Sequence, residues 1–344
     1  MARIGIDCRF ASLSVGLGTY THNIVEHLVR PSDDVFVLFV RSLDEHWIKK
    51  LEGNFELVVA DFPHYSFREQ FLFPKLLKSS KVDLLYSPHF NIPYFCSVPY
   101  VVTVHDLILH RFPNNTSLLK RIAYRLLIKQ AVLMAQHVIC VSSFTKSELR
   151  SVYPFLRDEK MTVVTEGIDS SYKPTEDSSV LDFYDLQPGY FLYVGTAKQH
   201  KNVQKLIDMY AASGVSDPLI IVSNGKEVDT LQIRDGVRIL LGVDNDELPA
   251  LYSAAKCFVT ASSYEGFCLS ILEARACGCP VIATNASAIP EVSGEHAILI
   301  DGSEESLINA LKNPPKKSDP PDTRFDWKKS ADVISAILTD ASHG

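Results

Sequence analysis

Short, almost continuously apolar runs recur along the chain, separated by longer stretches in which apolar residues return at helical spacing. In the first half the runs are RIGID (3–7), VFVLFV (35–40), FELVVA (55–60), VDLLYS (82–87), YVVTV (100–104), HVICV (137–141) and MTVVT (161–165). In the second half they are YFLYVG (190–195), PLIIVS (218–223), VRILLG (237–242), CFVTA (257–261), PVIAT (280–284) and HAILI (296–300). Runs that are apolar at successive positions suit strands buried on both faces of a parallel sheet. With helical segments between most of them, the pattern is β-α-β repeated in two halves. It predicts an α/β chain of two doubly wound, Rossmann-like domains facing across a cleft.

The break falls near EGIDSSYKPTEDSS (166–179), which is polar and carries a proline. A proline-rich stretch, KNPPKKSDPPD (312–322), follows the last strand, and an amphipathic segment, DWKKSADVISAILTD (326–340), follows that. The predicted domains are residues 1–166 and 167–325.

Composition and charge narrow the class. Of 344 residues, 46% are hydrophobic and 22% charged, an ordinary balance for a folded globular protein. No apolar run approaches the ~20 residues that span a bilayer. The opening MARIGIDCRF reads as a charged strand rather than a signal peptide. A cytoplasmic protein is expected. Seven scattered cysteines, with Cys277 and Cys279 as an isolated C-x-C, are expected to be reduced and mostly buried. Residues 1–165 hold 19 basic and 15 acidic side chains, and residues 166–344 hold 15 and 26. That asymmetry argues against nucleic-acid binding by the whole chain and leaves room for a basic patch on the first half.

YEGFCLSILEARACGCP (264–280) puts Glu265 on a strand-to-helix turn and Glu273 inside the helix that starts near Cys268. A helix N-terminus has backbone N–H groups without intrahelical acceptors and a partial positive charge, so it suits a diphosphate. Gly266 allows a sharp turn and close approach. A carboxylate beside such a site would repel phosphate and is better suited to accept hydrogen bonds from hydroxyls. Two of them would read hydroxyls on either side of the diphosphate. On residues alone, a helix surface with two solvated acids fits equally well.

YVGTAKQHKNVQKLI (193–207) places Lys201 at a helix start, electrostatically the wrong end for a cation unless an anion lies between. A solvated surface lysine is the alternative. VVTVHDLI (101–108) ends a strand with His105 and Asp106, where a ligand cleft would open in an α/β sheet, although a lone histidine is more often structural. SVGLGTYTHNIVEHL (14–28) is a glycine loop opening a helix. It lacks the third glycine of a dinucleotide fingerprint, since Thr21 stands there. DND (244–246) spells D-x-D, but its context, D-x-x-E before a helix, reads as a capping box. No H-E-x-x-H and no other metal-ligand spacing appears, so no metal and no cofactor is expected.

Taken together these motifs resemble the E-x7-E signature of retaining glycosyltransferases of family 4, which have the GT-B fold. The resemblance runs over nearly the whole chain. It takes in the glycine loop, TVHDLILHRFP (103–113), VSSFTKSEL (141–149), VVTEGID (163–169), VGTAKQHKN (194–202), LPALYSAAKCFVTASSYEGF (248–267), EARACGCPVIATNASAIPEV (273–292) and AILIDG (297–302). It implies that the first domain takes the acceptor and the second the nucleotide sugar. The final segment, 326–344, would cross back onto the first domain. It further implies that Glu273 holds ribose hydroxyls and Glu265 hydroxyls of the donor sugar, with His105 meeting that sugar from the other domain. Lys201, Thr196 and the turn Gly266, Phe267, Cys268 and Leu269 would hold the diphosphate. Gly16, Gly18 and Asp106 would line the acceptor side. Three departures stand out: CLS (268–270) where the family often has Gly-Leu-Pro, Gln199-His200 where it often has Pro-Arg, and Thr19 where an arginine is common. His200 is the candidate to replace part of the missing positive charge.

The implied reaction is transfer of a hexose with retention, by front-side attack of an acceptor hydroxyl and without a metal. Among donors, GDP-mannose is favoured over a UDP-sugar because the first-domain motifs resemble mannosyltransferase-like members most. The acceptor is expected to be a glycan or a lipid-linked saccharide. Arg121, Arg125 and Lys129 form one basic stripe on a helix predicted over 116–136, and SFREQFLFPKLLKSSK (66–81) mixes basic with large apolar residues. Both suit peripheral contact with anionic lipid on the inner face of the membrane, or alternatively a solvated helix face over core packing. Rival readings are a nucleotide-sugar epimerase of the same fold and a sugar-binding protein without catalysis.

Overall fold

The computed structural model describes residues 2–12, 16–28, 34–51, 55–113 and 117–343. Ser14 and Val15, at the head of the glycine loop, and Thr116, at the head of the basic helix, lie outside the described residues.

The chain divides into two compact units, Met1–Gly167 with Arg324–Gly344, and Ile168–Thr323. The first unit holds strands β1 (Arg3–Asp7), β2 (Val35–Val40), β3 (Glu56–Val59), β4 (Leu84–Ser87), β5 (Tyr100–Val104), β6 (His137–Cys140) and β7 (Met161–Val163). Its helices are α1 (Leu17–His27), α2 (Phe67–Ser79), the short α3 (Ile108–Arg111), α4 (Leu118–Met134) and α5 (Ser143–Val152). The sheet order is β3-β2-β1-β4-β5-β6-β7, parallel throughout.

The second unit holds β8 (Phe191–Val194), β9 (Leu219–Val222), β10 (Val237–Leu240), β11 (Cys257–Thr260), β12 (Val281–Thr284) and β13 (Ile298–Ile300). Its helices are α6 (Ser179–Phe183), α7 (Val203–Ser213), α8 (Leu248–Ala254), α9 (Leu269–Ala276), α10 (Ile289–Ser293) and α11 (Glu304–Lys312). The order is β10-β9-β8-β11-β12-β13, again all parallel. Each apolar run of the sequence contains a strand, and β4, β5, β9, β11 and β12 are buried along their whole length, as double coverage by helices requires.

In both sheets the connection direction reverses once, between β1 and β4 and between β8 and β11. Loops leaving the carboxyl ends of strands at such a switch point diverge and leave room for a ligand. The last helix, α12 (Trp327–His343), belongs to the first unit. Its Trp327 is buried and meets Tyr20 of α1 edge to face at 5.9 Å. A Cβ on Gly167 would lie 2.3 Å from the Trp327 backbone nitrogen, so glycine is required where α12 seats.

The charged strand at the start has a structural use. Arg9 is fully buried, bonded to Asp7 at 2.8 and 2.7 Å and to Glu69 of α2 at 2.7 Å, with its guanidinium 4.2 Å from the Phe73 ring centroid. Asn91 donates to the same Glu69 oxygen at 2.8 Å. The seven cysteines are all unbridged, and five are buried.

Candidate active site

The long helices fall into two groups by how they begin. Ser66, Ser117, Ser142 and Ser303 cap α2, α4, α5 and α11 by accepting a backbone N–H, and Asp326 accepts from Lys328 and Lys329 at the start of α12. The helices that follow β1, β8 and β11 have no side-chain cap, and each starts on a residue with positive φ: Gly16 (40°), Asn202 (53°) and Cys268 (88°). These three strands border the switch points. Gly and Asn tolerate positive φ, whereas for Cys it is strained, and such strain clusters at functional sites.

In the second unit the loop after β8 carries Thr196 and Lys201. Thr196 is held through its carbonyl, which accepts from the Tyr193 hydroxyl at 2.8 Å. Lys201 ends a single 3-10 turn, Gln199–Lys201, and the Asn202 side chain donates to the Ala261 carbonyl at 2.9 Å, tying this loop to the one after β11. Ser263 completes the tie by donating its N–H to the His200 carbonyl at 2.8 Å. Across that joint the Lys201 ammonium meets both oxygens of Glu265 at 2.6 Å. The Glu265 side chain is only 10% exposed. Its backbone N–H is fixed by the Ser287 hydroxyl at 2.8 Å, and Ser287 itself has φ 54°.

The sequence asked for an anion next to Lys201, and in the structure that anion is Glu265. Behind the pair, Gly266 and Phe267 turn the chain into α9, and Cys268 and Leu269 form its first, uncapped turn. Burial first, and Glu265 second, push the Cys268 thiol up to about 12, so it stays protonated and is no nucleophile near neutral pH. Glu273 lies one side of α9, half-buried, and accepts from the buried Tyr252 hydroxyl at 2.9 Å. Tyr172 lies nearby, and burial together with the Glu273 carboxylate raises its phenol.

His200 does not supply positive charge. It is buried, and desolvation with Lys201 alongside lowers it to about 4, leaving a neutral ring near neutral pH. The expectation that it replaces the family's arginine is corrected on that ground.

In the first unit, His105 directly follows β5 and is half-buried. Its Nε2 lies 2.9 Å from the Pro88 carbonyl and its Nδ1 3.3 Å from Glu166 Oε1. Tyr20 packs edge-on against the ring at 4.6 Å. Asp106 accepts the Ile108 N–H at 2.9 Å and so starts α3. Gly16 and Gly18 open α1. Asp244 and Glu247 form a reciprocal capping box ahead of α8, as the sequence context indicated.

Sequence reasoning did not single out Ser287, Tyr252, Tyr172, Asn202 or Glu166. Ser287, Tyr252 and Glu166 each bond a predicted site residue from a distant part of the chain, Tyr172 lies near Glu273, and Asn202 bonds the Ala261 carbonyl. Only Asn202, next to Lys201 and ahead of a helix, carried a local signal, since Asn tolerates positive φ.

A profile of the family described as "Glycosyltransferase Family 4" matches residues 15–172, and one described as "Glycosyl transferases group 1" matches residues 183–331. The O-antigen chain mannosyltransferase B of Escherichia coli is 32% identical over 68% of this chain and 65% of its own length.

The chain belongs to the family 4 glycosyltransferases.

The O-antigen chain mannosyltransferase RfbU of Salmonella typhimurium, 29% identical over 69% of this chain and 66% of its own length, is a further relative. This chain thus spans just under two thirds of the length of either relative. Among solved structures, Anabaena HepE in complex with UDP and glucose shares the fold with a TM-score of 0.68, at 18% identity, over 100% of this chain and 97% of that one. The two parallel-sheet units of this family 4 glycosyltransferase are thus those of the GT-B fold.

Proposed function

We propose that the protein transfers a hexose, with retention, from a nucleotide diphosphate sugar to a glycan or lipid-linked saccharide. The donor is GDP-mannose in the first instance and otherwise a UDP-sugar. The observation that carries this reading is the Lys201–Glu265 pair beside the uncapped start of α9, at the β8/β11 switch point. Membership of the family supports the reaction class, and the named activity of the two O-antigen relatives supports mannose.

Sugar transfer from such a donor leaves a diphosphate that gains negative charge as the glycosidic bond breaks. Lys201 and the first N–H groups of α9 are suited to stabilise that charge, which a preorganised site does better than water. The Thr196 segment would border the diphosphate. Glu273, oriented by Tyr252, is suited to accept ribose hydroxyls. Glu265, once it leaves Lys201, would accept hydroxyls of the sugar. His105 is proposed to act on the donor sugar, and Asp106, Gly16 and Gly18 on the acceptor side. In this assignment residues 1–166 with 326–344 take the acceptor and residues 167–325 the donor. The reaction needs no metal ion in this reading, and it takes place at the inner face of a membrane.

The test is a panel of GDP- and UDP-sugars incubated with the protein and a membrane lipid extract. Nucleotide release, coupled to label appearing in a lipid or glycan product of the donor's own anomeric configuration, is the expected result. Nucleotide release with an altered free sugar and no labelled product would point to the epimerase reading instead. Binding without turnover would point to the non-catalytic one.

A further inference from the structure

The first unit gathers a second set of side chains at the same end of its sheet as His105. Arg9 and Phe10 lie after β1, His64 and Tyr65 in the loop after β3, and His89 and Asn91 after β4. All six thus stand at the carboxyl ends of parallel strands. β1 and β4 border the switch point, where an open α/β sheet takes its ligand.

Four of the six carry rings, and the rings touch in series. His64 lies flat on Phe10, with centroids 3.7 Å apart and planes 6° apart. Phe10 tilts against His89 at 4.9 Å, Tyr65 meets His89 edge to face at 6.2 Å, and the His105 ring lies 6.5 Å from that of His89. Phe10 is buried inside the series, while Tyr65 is 55% exposed. Tyr65 also holds a positive φ of 56°, a strained conformation for a bulky residue and one that clusters at functional sites. Its N–H donates to Glu69 Oε2 at 2.7 Å, which ties this turn to α2.

Hydrogen bonding fixes what His89 offers. The Asn91 backbone N–H, which can only donate, lies 3.1 Å from His89 Nδ1. Nδ1 is therefore the acceptor, and the ring hydrogen sits on Nε2. Burial, with His105 and His64 alongside, holds this imidazole well below its ordinary range, so the ring is neutral. Its Nε2–H has no partner among the described residues.

Charge selects the ligand. His64 is neutral as well, lowered to about 4, chiefly by burial. Beneath the rings the Arg9 guanidinium is shared by the carboxylates of Asp7 and Glu69, so one cation against two anions leaves the cluster net negative. Burial raises Glu69, but Arg9, Asn91 and the Tyr65 N–H all donate to it, as suits a carboxylate. Such a cluster repels phosphate. Arg9 Nη1 and Asn91 Oδ1 are buried there without hydrogen-bond partners, a donor and an acceptor whose side chains both bond Glu69 Oε1. A hydroxyl can serve both, an anion only the donor. Aromatic rings with a few fixed polar groups suit the apolar face and the hydroxyls of an uncharged sugar.

We propose that Tyr65 and His89, with Phe10 and His64 behind them, seat an uncharged sugar ring of the acceptor. Tyr65 lies against its apolar face, and His89 Nε2–H donates to one of its hydroxyls. This rests on the reading that the first unit takes the acceptor, and it makes the seated group a neutral saccharide rather than a lipid phosphate.

The experiment is titration of the full chain, without nucleotide, by saturation-transfer NMR with methyl α-mannoside, methyl α-glucoside and methyl α-glucuronoside. At least one of the two uncharged glycosides is expected to bind, and the glucuronoside, which differs from the glucoside by its carboxylate, to bind weakly or not at all. His89→Asn can still accept the Asn91 N–H but has no donor at the place of Nε2. It should lose about fivefold in affinity, the worth of one hydrogen bond. His89→Gln, which puts an amide donor there, should keep most of the affinity. Asn tolerates positive φ, so Tyr65→Asn should melt no lower than the parent while it loses sugar binding by a similar factor. No binding of either uncharged glycoside by the parent overturns the proposal. So does equal binding by parent, His89→Asn and Tyr65→Asn, or a glucuronoside bound as tightly as the better uncharged glycoside. The transfer assay separates this from the wider reading. Sugar binding lost in the variants, with no transfer by the parent from any nucleotide sugar, would keep the seat and remove the reaction. Transfer undiminished in both variants would keep the reaction and remove the seat.

Discussion

Lys201 and Glu265 neutralise one another, the ammonium lying 2.6 Å from each carboxylate oxygen. The two groups proposed for different parts of the donor therefore occupy each other before it arrives. In the proposed reaction a diphosphate would take the lysine from the carboxylate, and the same step would release the carboxylate towards hydroxyls.

Glu265→Gln keeps the shape and removes the competing charge. Calorimetry with free GDP or UDP should show affinity that is unchanged or severalfold tighter, while sugar transfer falls. Lys201→Met should weaken the same binding and cut turnover by about 10²–10³, the range for losing one preorganised charge-stabilising group. Weaker nucleotide binding by Glu265→Gln would rule out the competition.

Glu273→Gln should behave in the opposite way. Hydrogen bonds to a charged acceptor are worth about 1.5–3 kcal/mol, so loss of the charge should weaken nucleotide binding roughly tenfold or more. The free nucleotide should show the loss as fully as the donor, because both carry the ribose. Tyr252→Phe, which removes the 2.9 Å bond that orients this carboxylate, should produce a smaller loss in the same direction. A donor-only effect of Glu273→Gln would exclude the ribose assignment.

Asp244 acts as a cap. Asp244→Asn can still accept the N–H of residue 247 and should leave both turnover and melting temperature near those of the parent. Asp244→Ala should cost about 1 kcal/mol of stability, with turnover per folded molecule intact. Activity that collapses in Asp244→Asn, or in EDTA with recovery on manganese, would show that DND binds a metal after all.

Stability should depend on pH through His200. Its folded value, lowered to about 4 by burial, lies below the ordinary 6.5, so between these values the unfolded chain binds the extra proton. The contribution is fully present above about pH 6.5 and is lost as pH falls towards 4. Thermal melts should therefore drop more steeply over this window in the parent than in His200→Gln. Parallel curves would show that His200 is not the group responsible.

Gly167→Ala should destabilise the first unit by about 1–3 kcal/mol, as overpacking does, because its Cβ meets Trp327 backbone at 2.3 Å. Chemical denaturation read by Trp327 fluorescence would register the displaced α12. A variant as stable as the parent would mean that α12 seats without this contact.

The two-unit α/β plan was legible in the chain because its signals are local. Continuous apolar runs specify buried strands, helical spacing specifies the segments between, and D-x-x-E specifies a cap whose two bonds close within four residues. The N-terminus of α9 and the placement of Glu265 and Glu273 followed from the same local grammar. What tertiary structure alone decided is which distant residues meet. Lys201 and Glu265, 64 positions apart, touch because crossover connections bring β8 next to β11. Tyr252 reaches Glu273, and Ser287 reaches Glu265, for the same reason. Burial also escaped the local pattern. Phe71 and Phe73 look alike in sequence, yet two positions on a helix differ by about 200°. Only the packing of α2 on the sheet sends Phe73 into the core and Phe71 to the surface. His200 reads as a cation beside Lys201 until the fold desolvates it, because the cost of charging a ring depends on surroundings that no short stretch of sequence contains.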